Sequence, residues 1–336
     1  MRVVPEGIDL LLDHNERVRI PEEFLRLRER IRPDTFTRYR FTDDLELELA
    51  KRFGVGKENL VTTAGSNDAI DRICRCYLNA NRNMITTEPT FEMIPLLGAR
   101  TGARVIRVPW LTEPFPVERV MDAADGQIAL VVVVSPNNPT GQIATLENIR
   151  ALSEKFSTAI VLLDFAYIEF ADYDFTREAL ALPNVVITRT FSKAYGLAGL
   201  RVGYALGATA IIDKMRAIAP VYSVSALSAR IVLDTLAIGG KWTEEYLENV
   251  RLERELLCDL LRSFGAQPNA SQGNFMLAKF ANADHVYRRL IEQGILVRSY
   301  AYTNDMTDYL RITCPGNAQD FVRLKRALCS IFEEKP

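Results

Sequence analysis

The chain has 336 residues, 48% of them hydrophobic and 25% charged, with a formal net charge of −2. That is long enough for two domains, or one large and one small, and the balance is ordinary for a globular protein. Lysine and arginine are spread along the chain, which excludes a nucleic-acid or membrane-surface binder as the first expectation, and no apolar run approaches the ~20 residues that span a bilayer.

Residues 1–39 read as an N-terminal arm with a short helix over Glu22–Ile31. The opening Met1–Asp9 has no long apolar core, so no secretory leader is expected and the protein is expected in the cytoplasm. Thr37–Asp44 is an aromatic and basic loop. Its Asp43 or Asp44 can cap a helix that carries Leu45, Leu49 and Phe53 on one face and ends at Gly54. The pattern then becomes strand, loop, helix. Leu60–Thr63 is a short strand, and Ala69–Leu78 a helix with Ile70, Ile73 and Tyr77 inward. Further strands are predicted at Asn83–Thr87, Ala103–Val108, Ile128–Val134, Ile160–Leu163, Val185–Thr188 and Val202–Leu206. Helices such as Phe91–Thr101 and Leu146–Phe156 fall between them. A run as apolar as Ala129–Val134 implies a strand buried on both faces, the mark of a mainly parallel sheet between helices. The fold class is therefore α/β, with a large domain over 40–238. After Ile238-Gly-Gly240 the character changes. Trp242–Phe264 is one amphipathic helix with a stripe of Leu247, Val250, Leu257, Leu261 and Phe264. A smaller α+β domain, 239–336, completes the chain and packs with the arm. Its strands are Gly273–Phe280, Gly294–Arg298 and Tyr309–Thr313, and its helices Asp284–Gln293 and Ala318–Glu333.

The five cysteines, Cys74, Cys76, Cys258, Cys314 and Cys329, are odd in number with no C-x-x-C spacing, which fits free thiols in a reducing compartment. Only His14 and His285 are available as imidazole ligands, so no metal site is expected.

Several strand ends carry polar residues that packing does not require. After Val134 comes Ser135-Pro-Asn-Asn-Pro-Thr-Gly141, which taken alone is a good turn. After Leu163 comes Asp164-Phe-Ala-Tyr167, and a carboxylate there is costly unless paired. After Val185–Thr188 comes Thr190-Phe-Ser-Lys-Ala-Tyr-Gly-Leu-Ala-Gly-Leu-Arg-Val-Gly203. Lys193 is either an ordinary solvated lysine or a functional one. Its place beyond a buried strand favours the second, as do Thr190, Ser192 and Arg201, a set suited to a phosphate. Gly65-Ser66-Asn67, opening a helix, offers either an anion site or a simple cap. Together these ends offer an amide, a carboxylate, a phenol, a lysine and an arginine along one sheet edge.

Asn-Pro-Thr-Gly, Asp-x-x-Tyr, Ser-Lys-x-x-Gly-Leu-x-Gly-x-Arg-x-Gly and Tyr-Leu-Arg-Ile, in that order, resemble the fold-type I pyridoxal-phosphate enzymes of the class I/II aminotransferase family. The likeness runs from about Tyr39 to the end. Within the family, Ser-Pro-Asn-Asn-Pro-Thr-Gly, Ala-Tyr-Ile-Glu-Phe and Asp-Tyr-Leu-Arg-Ile-Thr are similar to the histidinol-phosphate aminotransferases. The resemblance implies a pyridoxal 5'-phosphate cofactor bound as a Schiff base to Lys193, whose freed amine shuttles a proton. It implies that Asp164 pairs with the pyridine nitrogen and that Asn138 and Tyr167 hold the phenolic oxygen. Gly65, Ser66 and Asn67, with Thr190, Ser192 and Arg201, would take the phosphate. Phe91 would stack on the ring. Tyr39 would reach the site of the neighbouring subunit, which makes the protein a homodimer with shared active sites.

Toward the substrate, the resemblance gives Arg311 the carboxylate and Arg298 a distal anion. Substrates are then small amino acids or amino-alcohol phosphates, with glutamate the expected donor. The chain departs from the family at the lid, where His14-Asn-Glu-Arg-Val-Arg19 stands for Asn-Glu-Asn-Pro and puts Asn15 and Arg17 beside the substrate. It also has Asp164-Phe165 for Asp-Glu, and Tyr39-Arg-Phe-Thr for Tyr-Pro-Asp-Pro. These departures touch substrate closure and leave the cofactor chemistry alone. A threonine-phosphate-type decarboxylase shares the same motifs and is the alternative reaction. A dinucleotide-dependent dehydrogenase is disfavoured, because the Gly196–Gly203 spacing is not G-x-G-x-x-G and comes late in the chain.

Overall fold

The computed structural model describes residues 4–39, 42–301 and 305–333, apart from the side chain of Arg28. Met1–Val3 of the opening segment and Arg40 and Phe41 of the expected aromatic loop lie outside the described residues. The strands are β1 (Leu10–Leu12), β2 (Leu60–Thr63), β3 (Asn83–Glu88), β4 (Val105–Pro109), β5 (Ile128–Val134), β6 (Ile160–Asp164), β7 (Val185–Thr190), β8 (Gly203–Gly207), β9 (Gln267–Pro268), β10 (Phe275–Lys279), β11 (Ile295–Ser299) and β12 (Tyr309–Thr313). They form a seven-stranded sheet, ordered β2-β8-β7-β6-β5-β3-β4, and a five-stranded sheet, ordered β1-β11-β12-β10-β9.

In the larger sheet β4, β3, β5, β6 and β7 are parallel, and β8 is antiparallel to both its neighbours. The alternation of side chains explains why the central strands β5, β6 and β7 are apolar until they near their carboxyl ends. Val131, Val133, Val161, Leu163, Val185 and Ile187 enter one core. Leu130, Val132, Val134, Leu162 and Val186 enter the core on the opposite face. A strand covered on both faces can spare no polar position except at its ends. Those ends lie together: Asp164 is the last residue of β6, Thr190 the last of β7, and Ser135 follows β5. The carboxyl edge of a parallel sheet is where ligands bind in such folds.

The smaller sheet carries Arg298 on β11 and Arg311 on β12. The long helix Gly240–Ser263 buries Tyr246, Val250, Leu257 and Leu261. The N-terminal arm does more than extend: β1 joins this sheet parallel to β11, with Leu10 opposite Ile295 and Leu12 opposite Val297. Leu10 and Leu12 enter the core of that sheet, so the arm is anchored by burial.

Some boundaries differ from expectation for physical reasons. The helix predicted at Glu22–Ile31 is one α-turn, Glu22–Leu25, followed by a 3-10 turn at Arg26–Arg30; among its described side chains only Leu27 is buried. Helix Asp43–Phe53 starts one residue earlier than an aspartate cap requires. Thr42 is the capping position and makes no side-chain cap bond, while Asp43 and Asp44 lie in the first turn. There their charge still favours the helix dipole, and Asp43 also pairs with Lys57. Gly54 ends the helix with φ +70°, as a left-handed glycine cap does. Helices Thr209–Ala217 and Ala226–Ile238 fall outside the predicted elements. No helix among the described residues is long and apolar enough to cross a membrane.

Candidate active site

A cavity of about 770 Å³ opens at the carboxyl edge of the large sheet, with walls from both sheets and from the arm. Lys193, Asp164, Tyr167, Asn138 and Arg311 all line it. Asp164 is buried and accepts a hydrogen bond from Thr188 Oγ1 at 3.1 Å. Burial raises its carboxyl to about 6, opposed by the Thr188 hydroxyl, the Ala166 amide and the charge of Lys193. The half-buried Lys193 donates from Nζ to the carbonyl of His14 at 2.8 Å, and Nζ lies 5.6 Å from the Tyr167 ring centre. Its amine is lowered to about 8, first by burial and then by the charges of Arg311 and Arg201, against Glu16 and Asp164. Carboxyl and amine thus shift in opposite directions for one cause, the removal of water.

Tyr167 is buried, and its hydroxyl accepts from Asn15 Nδ2 at 3.0 Å. Asn15 also accepts from Thr313 Oγ1 at 3.0 Å, and φ +56° turns its backbone to reach both groups. Asn138 accepts from Arg311 Nη1, which ties the β5 loop to β12. Its neighbour Asn137 is spent on the turn: its Nδ2 donates to Pro89 O and Thr140 Oγ1, both at 3.0 Å.

At the other end of the cavity Gly65 precedes the helix Ser66–Tyr77. Gly65 has φ +85°, and no side chain caps the helix, so capping by Ser66 or Asn67 is not what the segment does. First-turn amides left uncapped are an anion site. Ser66, Asn67, Thr190, Ser192 and Arg201 line the cavity beside them. Thr190 Oγ1 donates to Ser192 Oγ at 2.9 Å, and Arg201 Nη1 donates to Ala198 O at 3.2 Å. A Cβ at Gly65 would stand 2.6 Å from Arg201 Nη2, and one at Gly203 would stand 2.6 Å from the Ser66 nitrogen. Both positions need glycine so that arginine, strand and helix terminus converge. The loop is braced from behind: Asp68 accepts from the Ala64 amide at 2.8 Å and pairs with the buried Arg72.

Arg311 is buried. It donates from Nη2 to Asp13 O at 2.5 Å, and its Nε has no hydrogen-bond partner. Arg298 also lines the cavity, as does Phe91. Three expected residues are elsewhere: Asn15, buried behind Tyr167 and held by it and Thr313, does not line the cavity where a substrate would meet it, and neither do Arg17 and Tyr39. Arg17 turns away from the cavity: it donates to Arg19 O at 3.0 Å and Trp242 O at 3.3 Å, and its guanidinium covers the Tyr246 ring at 4.4 Å. The expectation that it faces substrate is therefore corrected; an aromatic ring and two carbonyls already take it. Tyr39 is 84% exposed and stacks on Tyr222 at 4.7 Å, outside this chain's cavity. Residues with no signal in the sequence complete the site. Thr188 reaches Asp164 because the two are register partners on β7 and β6. Glu92 and Tyr300 arrive from segments far apart in the chain.

A mainly parallel sheet between helices, with a lysine and a buried carboxylate at its carboxyl edge, is the fold-type I architecture of the transaminases. The chain belongs to the family described as aminotransferase class I and II, which matches residues 21–328. It is a transaminase that depends on pyridoxal 5'-phosphate. The histidinol-phosphate aminotransferase of Caldanaerobacter subterraneus subsp. tengcongensis is 34% identical over 285 residues, 83% of this chain and 80% of that protein. Among solved structures, the histidinol-phosphate aminotransferase of Sinorhizobium meliloti, in complex with pyridoxal-5'-phosphate, has a TM-score of 0.87 at 24% identity, covering 97% of this chain and 91% of the other. The L-threonine-O-3-phosphate decarboxylase of Porphyromonas gingivalis has a TM-score of 0.80 at 19% identity, covering 97% and 100%. These two likenesses are of fold alone, and they span two different reactions. The donor set of the cavity suits the cofactor: an amine lowered to about 8 for an aldehyde, and an acidic group for a ring nitrogen. Beside them lie uncapped amides in a cradle that a Cβ would fill, for a phosphate.

Proposed function

We propose that this transaminase moves an amino group between glutamate and a second amino compound with a distal anion, histidinol phosphate foremost. The observation that carries the reading is the single cavity holding Lys193, Asp164 and Arg311, three groups with complementary charge needs. The name of the 34%-identical relative supports the second substrate. The cofactor supplies an electron-poor ring that accepts the electron pair released at the substrate's Cα.

The chain's own residues do the rest. Lys193 would hold the cofactor through its aldehyde, and its free amine would take the proton from the substrate Cα. Asp164, anionic above about pH 6, holds the proton on the ring nitrogen, and Thr188 fixes its orientation. Tyr167, set by Asn15, and Asn138 bind the phenolic oxygen. Phe91 stacks on the ring. The amides of Gly65, Ser66 and Asn67, the hydroxyls of Thr190 and Ser192 and the Arg201 guanidinium bind the phosphate. Arg311, with its unpartnered Nε, takes the α-carboxylate of glutamate and Arg298 its distal carboxylate; histidinol phosphate has no carboxylate, and its phosphate is the one anion that falls to these arginines.

In this reading 40–238 is the cofactor domain, and 239–336 with the arm 1–39 closes over the substrate. Tyr39 serves a second copy of the chain. Its exposure supports that role, and a fully active monomer in sedimentation would remove it. The direct test mixes the purified holoenzyme with L-glutamate. Loss of the visible band with release of 2-oxoglutarate is expected. Release of carbon dioxide from phosphothreonine, without 2-oxoglutarate from glutamate, would replace this reading with the decarboxylase.

A further inference from the structure

Two arginines reach the cavity from the smaller sheet, and they are held differently. Arg298 of β11 and Arg311 of β12 are register partners on antiparallel strands, so their side chains leave the same face. Like charges directly opposed cost stability, which marks the pair as kept for a ligand. Arg311 is buried among neutral acceptors and keeps one N–H unpartnered. Arg298 instead donates from Nη2 to the carboxylate of Glu92 at 2.6 Å. Glu92 comes from the segment between β3 and the helix Met93–Arg100, next to Phe91, and it lines the same cavity. Its side chain is 74% exposed, against 39% for Arg298. A carboxylate so open to water holds its arginine weakly and can leave it.

From this contrast we infer that Glu92 determines substrate specificity as a resident counter-anion on Arg298. The inference rests on the transaminase reading of the cavity and on Arg298 as its distal-anion group. A substrate with one carboxylate engages Arg311 and leaves the Arg298–Glu92 pair intact. A substrate with a second anion, carboxylate or phosphate, must displace Glu92. Discrimination between the two classes is set by that exchange, so Glu92 discounts every doubly anionic ligand by the strength of its own bond to Arg298.

The test uses holoenzyme carrying Glu92→Gln, Arg298→Ala or both. One readout is the dissociation constant of succinate, a dicarboxylate without an amine, from the change in the visible spectrum. The other is the ratio of half-reaction efficiencies for L-glutamate over L-alanine. Glu92→Gln is expected to tighten succinate by about three- to fivefold and to raise the ratio by a similar factor. Arg298→Ala is expected to weaken succinate and lower the ratio by about tenfold or more. In the double variant the gain from Glu92→Gln should vanish. If Glu92→Gln changes neither readout, or weakens succinate, while Arg298→Ala still acts, the role of Glu92 is overturned and the distal-anion group stands. If Arg298→Ala changes neither readout, the distal-anion reading falls and the role of Glu92 falls with it.

Discussion

In the proposed function Lys193 acts only when its amine is neutral, and the cavity moves it toward that state. Burial and two nearby guanidiniums lower it to about 8, whereas burial raises Asp164 only to about 6. Between these values the carboxylate is already anionic while the amine is gaining its neutral form. The sign for cofactor capture follows. Below about pH 8 the neutral share of Lys193 grows about tenfold per pH unit, and above it the share levels off. Capture of pyridoxal 5'-phosphate by apoprotein, followed as growth of visible absorbance, is therefore expected to accelerate from about pH 6.5 and plateau above about pH 8.5. A rate independent of pH over that span would mean that the lysine amine is not the limiting nucleophile. Thr188 adds to the same balance from the neighbouring strand, and nothing in its local sequence announces that role.

At the scale of elements, the site is made by strand ends and by one close approach. β8 passes beneath the turn at Gly65, where a Cβ on Gly203 would lie 2.6 Å from both the Gly65 carbonyl carbon and the Ser66 nitrogen. Backbone atoms cannot yield as a flexible side chain can. Gly203→Ala is expected to push the Ser66 amide out of line at a cost of about 1–3 kcal/mol. If that cost falls on the phosphate cradle, cofactor affinity drops by about 5- to 150-fold. Titration of apoprotein with the cofactor measures it, and an unchanged affinity would show that the cradle does not depend on this approach. The strands themselves are legible because β5 throughout, β6 up to Asp164 and β7 over Val185–Ile187 are apolar without a break, and only two-sided burial needs that. Asp164 stands out for the same reason, as a carboxylate at the end of Val161-Leu-Leu163. β1 is less legible: three leucines do not reveal that their partner is β11, far along the chain.

The whole molecule sets what the sequence could and could not disclose. The proposed phosphate end and the lysine are contiguous motifs, so Gly65–Asn67 and Thr190–Arg201 can be read together. The proposed substrate end is assembled across the chain: Asp13 and His14 from the arm, Glu92 from β3's exit, Arg298 and Arg311 from the smaller sheet. Long-range register decides those meetings, and it also turns Arg17 onto Tyr246 and away from the cavity. Sequence departures at the lid are thus visible, yet their direction is not. What unites both ends in the proposed function is the attachment of the cofactor to one lysine. The most direct measurement of that claim is borohydride reduction of the wild-type holoenzyme followed by peptide mapping. A pyridoxyl adduct on the peptide that carries Lys193 is the expected result. An adduct on any other lysine, or none on a protein that still transaminates, would contradict the account.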